Sequence, residues 1–133
     1  MTCFWDGILR GLKADDFEYI REKKSSRENF INMLKNHCKK SVDNNKDHIL
    51  WNNGILSKKE WEEHNEAINC YNVAGIRSGH LTSTCDSFLL FICYLFDISI
   101  VHRYMNTSIH YINKSKSRKT LKFSSNRGHF VFA

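Results

Sequence analysis

Two residues at opposite ends of this chain are of types that can do the same chemistry. Cys3 stands ahead of Phe4, Trp5 and the run "DGILRGL", and His129 opens the last segment, "HFVFA". A cysteine in the first turn of a helix feels the positive end of the macrodipole and the unpaired backbone N–H groups, both of which favour thiolate over thiol. A histidine on a neighbouring strand can take the thiol proton and return it to a leaving amine. The backbone N–H of Cys3, with one from the segment before it, can hold a developing oxyanion. The chemistry so described is thiol-based acyl transfer, with Cys3 as nucleophile and His129 as general base.

That chemistry needs a helix at one end and a strand at the other. Thr2 is placed to cap a helix in which Phe4, Ile8 and Leu12 recur every four residues beside Trp5 and Leu9. Gly7 and Gly11 follow Cys3 on the same stripe. Each glycine costs a helix about 1 kcal/mol, which is tolerable where something packs very close. A substrate tail in a narrow cleft between the Cys3 helix and the His129 strand would account for both. The last segment alternates, so that His129, Val131 and Ala133 face one way and Phe130 and Phe132 the other, with Gly128 leaving room for close approach.

Between the ends the pattern is first helical and then extended. "DDFEYIRE" reads as a short helix, and Ser25 with Glu28 reads as a capping box ahead of Phe30, Ile31, Leu34 and Cys38. The stretch 39–54 reads as a polar loop with an apolar patch at Ile49 to Trp51, ending in Asn-Asn-Gly turn chemistry. Ser57 and Glu60 form a second capping box with a Leu56–Trp61 staple, and Trp61, His64, Ile68 and Tyr71 mark the inward face of the helix they open. Thr84 is placed to cap a helix through Phe96 that is apolar on nearly every side and therefore central. "ISIVHRY", "SIHYI", "TLKF" and "HFVFA" then carry period-2 aromatic and β-branched patterns. The layout predicts an α+β fold in one domain, 1–133, with N-terminal helices packed on a small, mostly antiparallel C-terminal sheet.

Composition narrows the function classes. A chain of 133 residues with a hydrophobic fraction of 41% folds around one core and has room for one site. The longest apolar run, "FLLFICYLF", is about half of the roughly 20 residues that cross a bilayer, which predicts no membrane association. Asp6, Arg10 and Lys13 stand where a secretory signal would be apolar, so the expected location is the cytoplasm, the host cytoplasm if the chain is viral. Five cysteines without CxxC spacing predict reduced thiols. The absence of proline and the wealth of Asn, Lys, Ile and Ser look like an AT-rich coding sequence, as in many viruses or parasites. A net charge of +6 with basic residues spread along the chain, apart from "KSKSRK" at 114–119, is weak evidence for nucleic acid.

With these features assembled, the chain resembles the ovarian-tumour (OTU) domain cysteine proteases, and its compact size is most like the viral members. "TCFWDGILRGL" looks like the family's cysteine motif, "GHLTSTCDSFLLFICYLFDISIVHRY" is similar to its glycine loop, buried helix and strand, and "LKFSSNRGHFVFA" looks like the closing hairpin that delivers a His followed by an aromatic. The resemblance implies a papain-like fold and cleavage of isopeptide bonds to ubiquitin, or in some viral members to ubiquitin-like modifiers or within a polyprotein. It implies ubiquitin or ubiquitinated proteins as partners, a monomer, and no cofactor. Cys3 matches the nucleophile and His129 the base. The family's Asp-Gly-Asn before the Cys is replaced by Met1 and Thr2, and Val131 stands where Asn or Asp often follows the His. The third catalytic member is therefore Asn126, Asp6 or none. A two-residue lead also fits a chain excised from a longer protein.

Each residue has a plainer reading. Most intracellular cysteines are small buried hydrophobes, and Cys38, Cys70 and Cys93 are assigned to the core on that ground. Cys85, at a helix start beside Asp86 and after His80, is the rival nucleophile. The pairs His80 with Cys85, His37 with Cys38 and His64 with Cys70 lack the tight spacing of zinc sites, so no metal is predicted. Trp5 could line a cleft but packs more naturally in the core, and 114–119 reads as a solvated hairpin tip. The competing functions are a catalytically inert basic module that binds ubiquitin or RNA, and a protease restricted to processing its own polyprotein.

Overall fold

The computed structural model describes residues 3–76, 85–126 and 129–133. The expected caps Thr2 and Thr84, and the readings placed on His80 and Gly128, lie outside the described residues. The elements run α1 (Cys3–Gly11), α2 (Ala14–Tyr19), α3 (Arg27–Lys40), β1 (Ile49–Trp51), β2 (Gly54–Ile55), α4 (Lys58–Asn69), a 3-10 turn at Val73–Gly75, α5 (Cys85–Phe96), β3 (Ser99–Tyr104), β4 (Thr107–Asn113), β5 (Thr120–Asn126) and β6 (His129–Phe132). Among the described residues the fold is α+β, five helices and a mixed six-stranded sheet, with four strands after α5 where the change of period predicts them and two, β1 and β2, before α4 where it does not.

Local chemistry explains most of these boundaries. Ser57 accepts from the Glu60 N–H while Glu60 accepts from the Ser57 N–H, the reciprocal box that starts α4. The cap of α3 is Ser26, whose hydroxyl accepts from Asn29 N–H at 3.2 Å, one residue later than the Ser25 box predicts. With Ser26 outside the helix, the glutamate that would close a box falls one position short of the third turn residue. Every residue of α5 from Ser87 to Cys93 is buried, as a helix without a polar face must be.

The predicted polar loop 39–54 conceals two strands. Ile49 is fully buried, and β1 and β2 form a hairpin whose turn is Asn52-Asn53 with φ of 50° and 67°. Asparagine tolerates this left-handed conformation, which is what a tight hairpin turn demands. Three residues are too few to show a period, so the apolar patch carried no strand signal.

The sheet order is β2-β1-β4-β3-β5-β6. All neighbouring pairs are antiparallel except β3 with β5, which are parallel. The chain therefore crosses over β3 between β4 and β5, and "KSKSRK" is that crossover rather than a solvated hairpin tip. Its Arg118 and Lys119 hold Asp16, an α2 residue with no exposure, at 3.1 and 2.5 Å. Burial works against the Asp16 charge, but hydrogen bonds from Lys119, the Lys13 N–H and Arg118 outweigh it and keep the carboxyl below its ordinary range. Arg118 also donates to the Phe96 carbonyl and stacks over Tyr19 at 4.0 Å. The basic run thus locks the end of α5, α2 and the crossover together.

The core lies between the helices and one sheet face. Trp5, Phe17, Phe30, Phe88, Phe91, Phe96, Tyr111 and Phe123 are its large fully buried rings. Trp5 is therefore core, with its indole N–H donating to the Tyr71 hydroxyl at 3.2 Å. Cys38 and Cys93 are buried as expected, whereas Cys70 is exposed. It caps the C-terminus of α4, two residues beyond Ile68, the last buried residue of the helix.

Candidate functional site

The first and last described elements lie against each other, and the two glycines of α1 explain how. A Cβ on Gly7 would stand 2.8 Å from Cδ1 of Phe130, and one on Gly11 would stand 3.1 Å from Cδ1 of Phe132. Both distances are below ordinary van der Waals contact, so only glycine lets the helix approach β6 this closely. The space beside Cys3's stripe is filled by the chain's own phenylalanines, which corrects the expectation that a substrate tail occupies it. Phe4 and Phe130 add a ring contact at 4.8 Å, and Lys24 closes the other end of α1 by donating to the Leu9 and Leu12 carbonyls.

These contacts fix direction as well as distance. Gly7 meets Phe130 and Gly11 meets Phe132, so β6 begins at the end of α1 that Cys3 opens. β6 is an edge strand, and the bond from Ala133 N–H to Lys122 O sets its phase so that the Phe130 carbonyl points away from β5. That carbonyl lies 3.4 Å from the Gly7 Cβ position. The helix therefore covers the free edge of the sheet, which would otherwise be open to pairing.

Cys3 is partly exposed at the head of α1, packed on the rim of the core. His129 is exposed at the start of β6. Because Phe130 and Phe132 turn toward α1, His129 and Val131 turn to the opposite face. There they line a depression of about 350 Å³ with Arg103, Met105, Ser124, Ser125 and Asn126. The fold brings the two chain ends to one place, and the thiol and the imidazole approach the edge strand from its two sides.

The candidates for a third member separate. Asn126 pairs with His129 across β5 and β6 and lines the same depression. Directly paired side chains on one face stand about 5 Å apart at Cβ, within reach of a hydrogen bond. Asp6 instead holds Arg27 of α3 at 2.9 Å.

A second group of reactive side chains gathers at the start of α5. Asp86 accepts a short hydrogen bond from the Tyr111 hydroxyl, and His64 Nδ1 bonds the buried Ser87 hydroxyl at 2.7 Å between the rings of Trp51 and Trp61. His102, on β3 and 7% exposed, places Nε2 2.6 Å from the Ser125 hydroxyl, while its Nδ1 has no partner. Burial lowers the pKa of both histidines, with the Asp86 charge opposing. Burial and the neighbouring Asp86 push the Cys85 thiol far upward, and burial, followed by the Asp86 contact, does the same to Tyr111. Both effects work against a thiolate at Cys85, whatever its place at a helix start. His102 was legible as an inward-facing residue from its alternation with Ile100, but its Ser125 partner depends on pairing across a crossover.

No group of His, Cys, Asp and Glu among the described residues is arranged to hold a metal ion. No described helix is long and apolar enough to cross a membrane. Compared with family models, curated proteins and solved structures, the chain matches none.

Proposed function

We propose that this chain is a thiol hydrolase of the OTU type that removes ubiquitin or a ubiquitin-like modifier, with Cys3 as nucleophile, His129 as general base and Asn126 orienting the imidazole. The observation that carries the reading is the interlock of Gly7 and Gly11 with Phe130 and Phe132, which sets a cysteine at a helix start beside the strand that begins with the last histidine. Cys3 is also the partly exposed cysteine without an acidic side chain next to it in sequence, in contrast to Cys85.

In the reaction the His129 imidazole takes the thiol proton of Cys3. The thiolate adds to the carbonyl carbon of the isopeptide bond. The C–N bond then breaks as His129 gives the proton to the departing lysine amine, leaving a thioester that water hydrolyses. Because the glycine stripe is filled, the modifier's tail must cross the head of α1 rather than run along it.

The test is labelling by ubiquitin that carries an electrophile at its C-terminus. The expected result is a covalent adduct that Cys3→Ala abolishes and Cys85→Ala leaves intact. No adduct with ubiquitin or ubiquitin-like probes, or an adduct that survives Cys3→Ala and is lost in Cys85→Ala, overturns the assignment.

A further inference from the structure

The two faces of the sheet differ in chemistry, and only one is covered. Ile49, Ile100, Tyr111, Leu121 and Phe123 turn toward the helices and are buried. The opposite face carries no helix among the described residues. Arg103, His110, Lys122 and His129 are exposed on it, and Val131 is 46% exposed. Leu50, Val101 and Ile112 lie between them, partly covered, and Ile55 at the β2 edge is 69% exposed.

Charge is distributed just as unevenly. All 14 Asp and Glu residues precede residue 98, while the segment from Ile98 to the end holds seven of the 20 Lys and Arg. Asp16 neutralises Arg118 and Lys119 of that segment on the helical side. No Asp or Glu belongs to any of the described strands to do the same for Arg103 and Lys122. Arg103 is steadied by donating from Nε to the Met105 carbonyl at 3.4 Å, over the depression that Asn126, Ser124, His129 and Val131 share.

We infer that this open face is a docking surface for an acidic protein segment carrying aliphatic side chains, anchored by a carboxylate at Arg103. A basic field without internal counter-charge steers and orients an acidic partner, and interspersed aliphatic residues supply the dry centre of a protein interface. Single-stranded RNA fits less well, because base stacking needs aromatic platforms and no Phe, Tyr or Trp of the described strands points from this face. The inference goes beyond the hydrolase reading and does not require it.

The test uses the 133-residue chain carrying Cys3→Ala, so that its outcome is separate from labelling, and a short fluorescent peptide of alternating Glu and Leu followed by anisotropy. The peptide should bind, the Lys–Leu counterpart should not, and Arg103→Glu with Lys122→Glu should weaken binding at least about tenfold. Arg103→Gln with Lys122→Gln, which disturbs folding less, should give a smaller loss in the same direction. Lys58→Glu with Lys59→Glu at the start of α4 changes net charge equally and should leave affinity within about twofold. Absence of peptide binding, an equal loss from the α4 pair, or tighter binding of an oligouridine RNA through Arg103 and Lys122 overturns the inference.

Discussion

Two helices of this protein begin with a cysteine, both partly exposed at the rim of the core, and they differ in the charged and titratable groups beside them. Cys3 opens α1 at the rim of the core, partly exposed, beside an edge strand that starts with an exposed histidine. Cys85 opens α5, the central helix, where burial and then the adjacent Asp86 push its thiol upward. Both have a histidine on a nearby element, but His102 near the second is itself buried and held by Ser125. A helix start favours a thiolate only where water or a cation can share the charge, so position along the chain does not by itself make a nucleophile. The buried cluster has a different use: it ties α5 to β4 through Tyr111 and to α4 through His64.

The sharpest way to break this comparison is to exchange the roles of the two thiols. Cys3→Ala should lower the labelling rate by roughly 10³-fold or more, as expected for loss of a nucleophile, with Cys85→Ala close to the parent. Asn126→Ala should slow labelling by at least roughly tenfold while leaving the thermal midpoint nearly unchanged, as an orienting residue does. A fall in the midpoint with no change in rate would remove Asn126 from the site. Alkylation with iodoacetamide, followed by peptide mapping, should modify Cys3 and the exposed Cys70 faster than Cys85, whose thiol is pushed upward by burial and Asp86.

Stability changes sharpen the same contrast. Gly7→Ala forces a methyl into the Phe130 ring, and overpacking of about 1–3 kcal/mol should exceed the roughly 1 kcal/mol that alanine returns in helix propensity. Urea denaturation should show a net loss, and Phe130→Leu in the same chain should recover part of it. Tyr111→Phe leaves the Asp86 carboxylate without its donor and should cost about 1–2 kcal/mol. The smallest effect is the pH dependence. His64 and His102 have folded pKa values lowered from the ordinary 6.5. The unfolded chain therefore binds more protons below that pH, and stability should be fullest above it and decline as pH falls toward the lowered values. His102→Gln should flatten that slope, and a slope of the opposite sign would show that these imidazoles are charged in the native state.

How much of this was legible in advance varies from element to element. The capping box at Ser57 and Glu60 announced α4 because both partners lie within one turn. The unbroken apolar run announced α5 because only a central position buries it. β1 and β2 went unseen since so short a strand shows no period, and their pairing with β4 is a long-range event. The crossover at 114–119 read as a hairpin tip because nothing local says that β5 passes to the far side of β3. Its Arg118 and Lys119 find Asp16 only once α2 has docked.

The sequence by itself determined the α+β class, the succession of helices followed by the four C-terminal strands, the inward faces of α1 and α4, and the alternation that separates His129 from Phe130. These follow from spacing along a single segment, where each side chain's direction is set by the period of the backbone. The tertiary structure alone decided that Gly7 and Gly11 receive phenylalanine rings rather than a ligand, that burial pushes the Cys85 thiol upward, and that one face of the sheet is basic and carries no helix among the described residues. Those outcomes depend on which atoms arrive opposite one another after folding, and that distance is not written in any local stretch of the chain.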